Sequence, residues 1–196
     1  GWKAEVIEDY FGDGTDLQVA IQYVRQRVQD GTGKAPELAK EFVGDSPFLL
    51  TYGDILVKAD TYQQMLVRWA EGEFSGLVTV TGSEDVTKGG LFFFDQEFRL
   101  QHLVEKPSVD QLADLRASGL LKPGEPGWYN AGIYCFNPVI FKYTAQLNKS
   151  SRGEYELTDA LEAMLSEEHI LAGLAIAGRW VDVRDPEVLR DLQGGC

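Results

Sequence analysis

Apolar residues recur along this chain with two spacings, and the spacing decides which elements form. Val6, Ile7, Tyr10 and Phe11 fall on one face of a helix, and Gly12-Asp13-Gly14 ends it. Val19, Ile21 and Tyr23 alternate with Ala20 and Gln22 and predict a strand. Residues 35–42 predict a short helix that tolerates Pro36 in its first turn. Pro47–Tyr52 is almost continuously apolar up to Gly53-Asp54, as expected of a buried central strand in a mostly parallel sheet. Tyr62, Met65, Leu66 and Trp69 predict a helix, and Asp60 with Gln63 resembles a capping pair at its start. Gly76–Thr81 reads as the next strand.

The pattern then changes. Leu91–Phe94, the polar turn Asp95-Gln96-Glu97 and Phe98–Val104 predict a hairpin. Residues 108–127 read as a surface excursion with one weak helix, and Ala131–Phe136 as another buried strand. Helices over 138–147 and 156–168 follow. Leu171–Ala177 and Arg179–Val183 predict a last strand pair, and Asp185–Leu192 a closing helix with Pro186 in its first turn. Alternating strands and helices with antiparallel additions predict one α/β domain over residues 1–196, a three-layer, Rossmann-like fold on a mixed, mostly parallel sheet. An opening helix that needs a sheet to pack on hints at a preceding segment. Ligands of such sheets sit beyond the carboxyl ends of the parallel strands, which directs attention to Tyr52-Gly53-Asp54.

Charge narrows the partners. The 196 residues hold 18 basic and 31 acidic side chains, a net charge of −13. Such a surface repels phosphate backbones and anionic lipid, so neither nucleic acid nor a membrane is an expected partner. Cys135 and Cys196 are too few for a disulfide framework, no stretch of 18 apolar residues occurs, and no signal pattern opens the chain. A cytoplasmic protein is the expectation. Several motifs are excluded. Gly31-Thr32-Gly33-Lys34 fails as a phosphate-binding P-loop, because Val28 stands where the first glycine belongs and Ala35 where Ser or Thr should be. Pro36 defeats a dinucleotide fingerprint. His102 and His169 lie far apart and give no zinc spacing, and both read as structural.

Four places could carry chemistry. Asp54 follows a buried strand and a glycine, suiting a hard cation or, equally, a turn cap. Glu105-Lys106-Pro107 closes the hairpin, where Lys106 is either a phosphate contact or part of a solvated rim. Asn130 can donate to and accept from hydroxyls, and Gly132 lets a sugar ring approach the backbone; alone they are also a turn residue and a packing glycine. Asp182, at a strand end after Trp180-Val181, is a second carboxylate or a cap.

The order and spacing of these weak signals are specific. Nearly end to end, the chain resembles the sugar-phosphate nucleotidyltransferases, especially the glucose-1-phosphate thymidylyl-, uridylyl- and cytidylyltransferase-like branch and its mannose-1-phosphate guanylyltransferase relatives. The matching segments are Gly1–Gly14, Asp30–Asp45, Phe48–Asp54 (FLLTYGD), Gly89–Pro107 ending in Glu-Lys-Pro, Asn130–Phe136 (NAGIYCF), Glu154–Ala160 (EYELTDA) and Trp180-Val181-Asp182 before Asp185-Pro186-Glu187. The resemblance implies attack of a sugar 1-phosphate oxygen on the α-phosphorus of a nucleoside triphosphate, with pyrophosphate leaving. It implies Mg²⁺ on Asp54 and Asp182, the sugar phosphate on Lys106, and the sugar near Gly90, Glu105, Asn130 and Gly132. It places the nucleotide near Gly31, Thr32 and Gly53. Partners would be these small molecules, with self-association left open.

Three departures from the family pattern stand out. The family's opening strand and Gly-rich triphosphate loop, roughly 30 residues at least by the size of a βα unit, precede the matched segments. The chain is therefore expected to be a fragment or a truncated relative, with little transferase activity alone. Lys34 replaces a small residue, and Tyr52 stands where many members carry Asn. Two other readings compete: a non-catalytic sugar-phosphate-binding or regulatory module of the same fold, and a glycosyltransferase using a sugar nucleotide. The latter would want an Asp-x-Asp motif after a strand, which no predicted strand provides.

Overall fold

The computed structural model describes residues 3–82, 84–122 and 127–194. Gly1-Trp2, Cys196 and the 123–126 part of the excursion lie outside them. The organising element is β6 (Trp128–Phe136), whose nine residues are long enough to serve three neighbours. On one side lies β3 (Gly76–Thr81), antiparallel, with Tyr134 opposite Val78. On the other side two strands share its length. β1 (Phe48–Thr51) pairs with the 133–136 half, and β4 (Gly90–Phe94) pairs with Trp128 and Tyr129. β5 (Leu100–Glu105) closes the hairpin with β4, and β7 (Leu171–Ala175) runs parallel to β3 at the far edge. A small second sheet joins β2 (Ile55–Val57) to β8 (Trp180–Asp182).

The sheet is mixed, as expected, with a particular arrangement of directions. β1, β3, β4 and β7 all point one way, but β6 runs against them between three of these strands, so β3·β7 is the one parallel pairing among the described strands. Pleating sends alternate side chains to opposite faces. Val78, Val80, Tyr134 and Phe136 meet α5 (Ile140–Gln146) and α6 (Leu157–Ser166) on one side. Leu77, Ile133 and Cys135 meet Met65 of α3 (Ala59–Trp69), Ile55 and Trp180 on the other. Helices therefore cover both faces, giving the predicted three layers. Desolvation pushes the Cys135 thiol up to about 11, which suits a core residue and not a reactive one. α4 (Val109–Ala117) is the excursion's helix, closed by a capping box in which Ser108 and Gln111 bond reciprocally. α7 (Pro186–Gly194) opens on Asp185, whose side chain accepts from the Glu187 and Val188 N–H groups. Among the described residues no helix is long and apolar enough to cross a membrane.

Five local expectations are corrected. Residues 19–23 form no strand. They fold back on α1 (Ala4–Phe11), with Ile21 N–H donating to Asp13 and the Tyr23 hydroxyl to Gly12, because no neighbouring strand among the described residues offers a ladder. β1 is an edge and not a central strand: only β6 pairs with it, and Leu49 and Thr51 stay exposed. The segments 171–177 and 179–183 do not pair with each other, since β7 joins β3 and β8 joins β2, with Gly178 at φ +99° between them. α3 starts at Ala59 with Lys58 as its cap residue, so Asp60 lies inside the first turn, where it favours the helix dipole without capping. The predicted helix over 35–42 is a 3₁₀ turn (Ala35–Ala39) that passes into α2 (Lys40–Val43).

Candidate active site

The site forms where β6 breaks its register. Between Val78 and Val80 of β3, β6 advances from Tyr134 to Asn130, so β6 carries two extra residues in a bulge around Ala131-Gly132-Ile133. Gly132 adopts φ +76°, a left-handed conformation that favours glycine. A bulge forfeits ladder bonds, and here each displaced carbonyl finds another donor. Ile133 O accepts from the Thr79 hydroxyl at 2.7 Å, Ala131 O from the Trp180 indole at 2.9 Å, and Gly132 O from the Tyr52 N–H at 3.0 Å. The bulge is thereby tied to β3, β8 and the end of β1 at once.

A cavity of about 200 Å³ opens beside it. Gly90 and Glu105, paired across the hairpin, form one wall. A Cβ on Gly90 would sit 2.9 Å from Phe92 Cε1 and 3.3 Å from both Asn130 Cβ and Glu105 Oε2, so glycine serves the packing on Phe92 and also keeps the space between the two cavity side chains clear. Lys106 follows at φ +45°, its N–H donating to Gly89 O at 3.0 Å, and buried Pro107 then ends the strand. Left-handed backbone at a lysine costs roughly 1 kcal/mol or more, and the Gly89 bond with the following proline holds it. Thr32, Asn130, Gly132 and Asp182 complete the cavity's share of the predicted residues.

Glu105 accepts from the Thr158 hydroxyl at 3.1 Å and meets Arg152 at 3.4 Å. Burial pushes its carboxyl above the ordinary range; the Thr158 bond opposes this, and the charge of Glu156 adds to it. A raised carboxyl pKa means that the ionised form costs stability at neutral pH, and that this cost disappears as pH falls through the folded-state value. Glu105→Gln is therefore expected to melt a few degrees higher than wild type at neutral pH, with the difference closing in acid. Melting curves against pH check this, and a variant less stable at neutral pH would contradict it.

The two aspartates lie on neighbouring stretches of backbone. Ile55 pairs with Asp182, and Val183 N–H donates to Asp54 O at 2.8 Å. Burial raises the Asp182 carboxyl, Arg184 at 3.1 Å opposes the shift, and the charge of Asp54 adds to it. Asp54 itself is exposed and is not among the residues that line the cavity. As a donor set, two carboxylates fit Mg²⁺, which takes one or two protein carboxylates and completes its shell with water and phosphate oxygens. Among the described residues no cluster of three His, Cys, Asp or Glu side chains forms a self-sufficient metal cage.

Not every predicted residue lies on the wall. Gly31, at φ +114°, packs on the Tyr155 backbone behind it, where Gly33 N–H donates to Tyr155 O and Tyr155 N–H to Asp30 O. Gly53 is exposed in open space, and no packing requires glycine there. Lys34 is held by Ala145 O at 2.9 Å and by Glu37, turned away from the cavity. His102 stacks on Phe93 and His169 bonds Ser75, both structural as expected. Lys88, Tyr129, Glu156 and Thr158 also line the cavity, and none was singled out by sequence reasoning. All four lie next to or within matched segments, but nothing in residue type alone marks them.

Comparison with known proteins identifies the family and the fold. A model of the nucleotidyl transferase family matches residues 2–193. The low-salt glycan biosynthesis nucleotidyltransferase of Haloferax volcanii is 30% identical over 93% of this chain and 47% of its own length. The bifunctional protein GlmU of Methanocaldococcus jannaschii is 32% identical over 94% of this chain and 39% of its own. The chain thus spans less than half the length of these two relatives. The crystal structure of a UDP-glucose pyrophosphorylase complexed with UDP-glucose superposes with a TM-score of 0.79 at 20% identity, covering 99% of this chain and 77% of the other, a likeness of fold. With the matched model spanning almost all of its residues, the chain belongs to the nucleotidyl transferase family.

Proposed function

We propose that this chain is the catalytic-domain core of a sugar-1-phosphate nucleotidylyltransferase, which joins a nucleoside triphosphate to a sugar 1-phosphate and releases pyrophosphate. The observation that supports it most is the gathering of Lys106, Glu105, Asn130 and Asp182 around one cavity from three separate sheet segments. Both reactants are anions, so the protein must neutralise charge and hold the attacking oxygen in line with the leaving pyrophosphate. The Lys106 ammonium would hold the sugar phosphate. Glu105 and Asn130 would bond ring hydroxyls, and Gly90 and Gly132 would let the ring approach. Thr32, supported by Gly31, would meet the nucleotide base side, with Gly53 leaving its backbone open to the triphosphate. Asp54 and Asp182 would hold Mg²⁺, and the bound ion would supply charge neutralisation and orientation of the phosphates. No covalent intermediate is needed. The substrates are small molecules of the cytoplasm, and the names of the relatives point to nucleotide-sugar synthesis.

Binding tests this reading without requiring turnover. The chain is expected to bind glucose or mannose 1-phosphate by calorimetry, and Lys106→Ala to weaken that binding about tenfold, the loss of one charge-assisted contact. A wild-type chain that binds no sugar 1-phosphate overturns the proposal.

A further inference from the structure

Lys88 lines the cavity together with Lys106. The hairpin brings the two together. Gly90 pairs with Glu105 at its open end, and one step further out the Lys106 N–H donates to Gly89 O at 3.0 Å. Lys88 is the next residue. It ends a 3₁₀ turn (Val86–Lys88) fixed by the Asp85 side chain, which accepts from the Thr87 N–H at 3.0 Å and from its hydroxyl at 2.7 Å. The two lysines therefore leave adjacent stretches of backbone and border one opening.

Two ammonium groups so placed repel each other unless an anion lies between them. The chain carries an excess of acids, 31 against 18 basic side chains, yet neither lysine has an ion-pair partner among the described residues. Three of the four carboxylates lining the cavity are engaged by other groups. Glu105 meets Thr158 at 3.1 Å and Arg152 at 3.4 Å, Glu156 meets Arg152 at 2.8 Å and Ser150 at 3.1 Å, and Asp182 meets Arg184 at 3.1 Å. The fourth, Glu154, is exposed to solvent. Lys106 is moreover held in left-handed backbone, a strain of the kind kept where a side chain must be aimed.

A phosphate monoester carries a charge near −2 at neutral pH, and each ammonium offsets about one unit of it. Once the sugar phosphate has attacked, its phosphorus bears a second bridging oxygen and a single charge. A pair of ammoniums thus favours the sugar 1-phosphate over the sugar nucleotide formed from it.

We propose that Lys88 is a second phosphate-binding residue, which with Lys106 clamps the phosphoryl group of the sugar 1-phosphate between two ammoniums. This rests on the sugar 1-phosphate reading of the cavity and adds a second contact and a charge preference to it.

The test is calorimetric titration of the whole chain with glucose 1-phosphate, with mannose 1-phosphate and, separately, with inorganic phosphate. The variants are Lys88→Ala, Lys88→Arg and Lys40→Ala. Lys88→Ala is expected to weaken inorganic phosphate and the sugar phosphate alike by about tenfold, the loss of one charge-assisted contact. Lys88→Arg keeps the charge and should lose no more than about threefold. Lys40 is exposed on α2 and does not line the cavity, so Lys40→Ala removes the same unit of net charge outside the clamp and should bind as wild type does. Wild-type affinity in Lys88→Ala overturns the clamp, as does an equal loss in Lys40→Ala or in Lys88→Arg. Inorganic phosphate bound and weakened in Lys88→Ala, with no sugar 1-phosphate bound by the wild type, keeps the two-lysine anion site and overturns the parent reading. Binding of neither overturns both.

Discussion

Gly132→Ala is expected to lower the unfolding free energy by about 3 kcal/mol, the sum of a left-handed backbone penalty and an overpacking penalty. The backbone part follows from φ +76°. The packing part follows from Tyr52, because a Cβ on Gly132 would lie 2.7 Å from its Cδ2 and 3.3 Å from Ile55 Cγ1. The Tyr52 ring has little room to step aside: its backbone is tied to the Gly132 carbonyl, its hydroxyl lies 3.4 Å from that of Tyr134, and the two rings pack edge to face. Denaturant unfolding of Gly132→Ala, compared with Gly132→Ala in a Tyr52→Ala background, separates the two parts. The second comparison should recover the steric share and leave the backbone share. A loss below about 1 kcal/mol in the first would mean that the bulge is softer than its three carbonyl bonds suggest.

Asp54→Ala is expected to cut nucleotidyl transfer by about a thousandfold, the scale of losing a preorganised charge partner at a phosphoryl centre. The same change should leave the melting temperature nearly unmoved, because the side chain is exposed and lies outside the core clusters. The measurement is pyrophosphate release from each common nucleoside triphosphate with a sugar 1-phosphate, in a form of the protein that turns over. Normal turnover would leave Asp54 as a turn residue between β1 and β2. Joint loss of stability and activity would point to a structural role for it as well.

Strongly periodic elements were legible from sequence, and those whose state depends on a distant partner were not. The Leu91–Val104 hairpin and the helices around 59–69, 140–146 and 157–166 follow from local pattern. Residues 19–23 alternate as a strand should, but alternation supplies only a face and not a neighbour to pair with. β1 looks central because it is apolar, and it lies at an edge because pairing on its outer side is missing among the described residues. In the site, Asn130 and Gly132 were marked by residue type and order. The two-residue bulge that aims them was invisible, because it exists only as a mismatch between β3 and β6. Arg152 and Thr158, which hold Glu105, were hidden for a similar reason: their roles come from contacts 47 and 53 positions away in sequence.

β6 also sets when this protein can first bind anything. Its partners at 48–51, 76–81 and 91–92 all precede it in the chain by dozens of residues, so no short loop closure assembles it. Chains dominated by such distant pairings fold slowly, because loop entropy is lost before the contacts return it. Asn130 and Gly132 lie within that strand, so the pocket cannot form in a partly folded chain that has only its hairpin and helices. In a refolding experiment, recovery of sugar 1-phosphate binding should therefore coincide with the slowest-forming β6 amides in hydrogen-exchange labelling, and lag behind the return of helical signal.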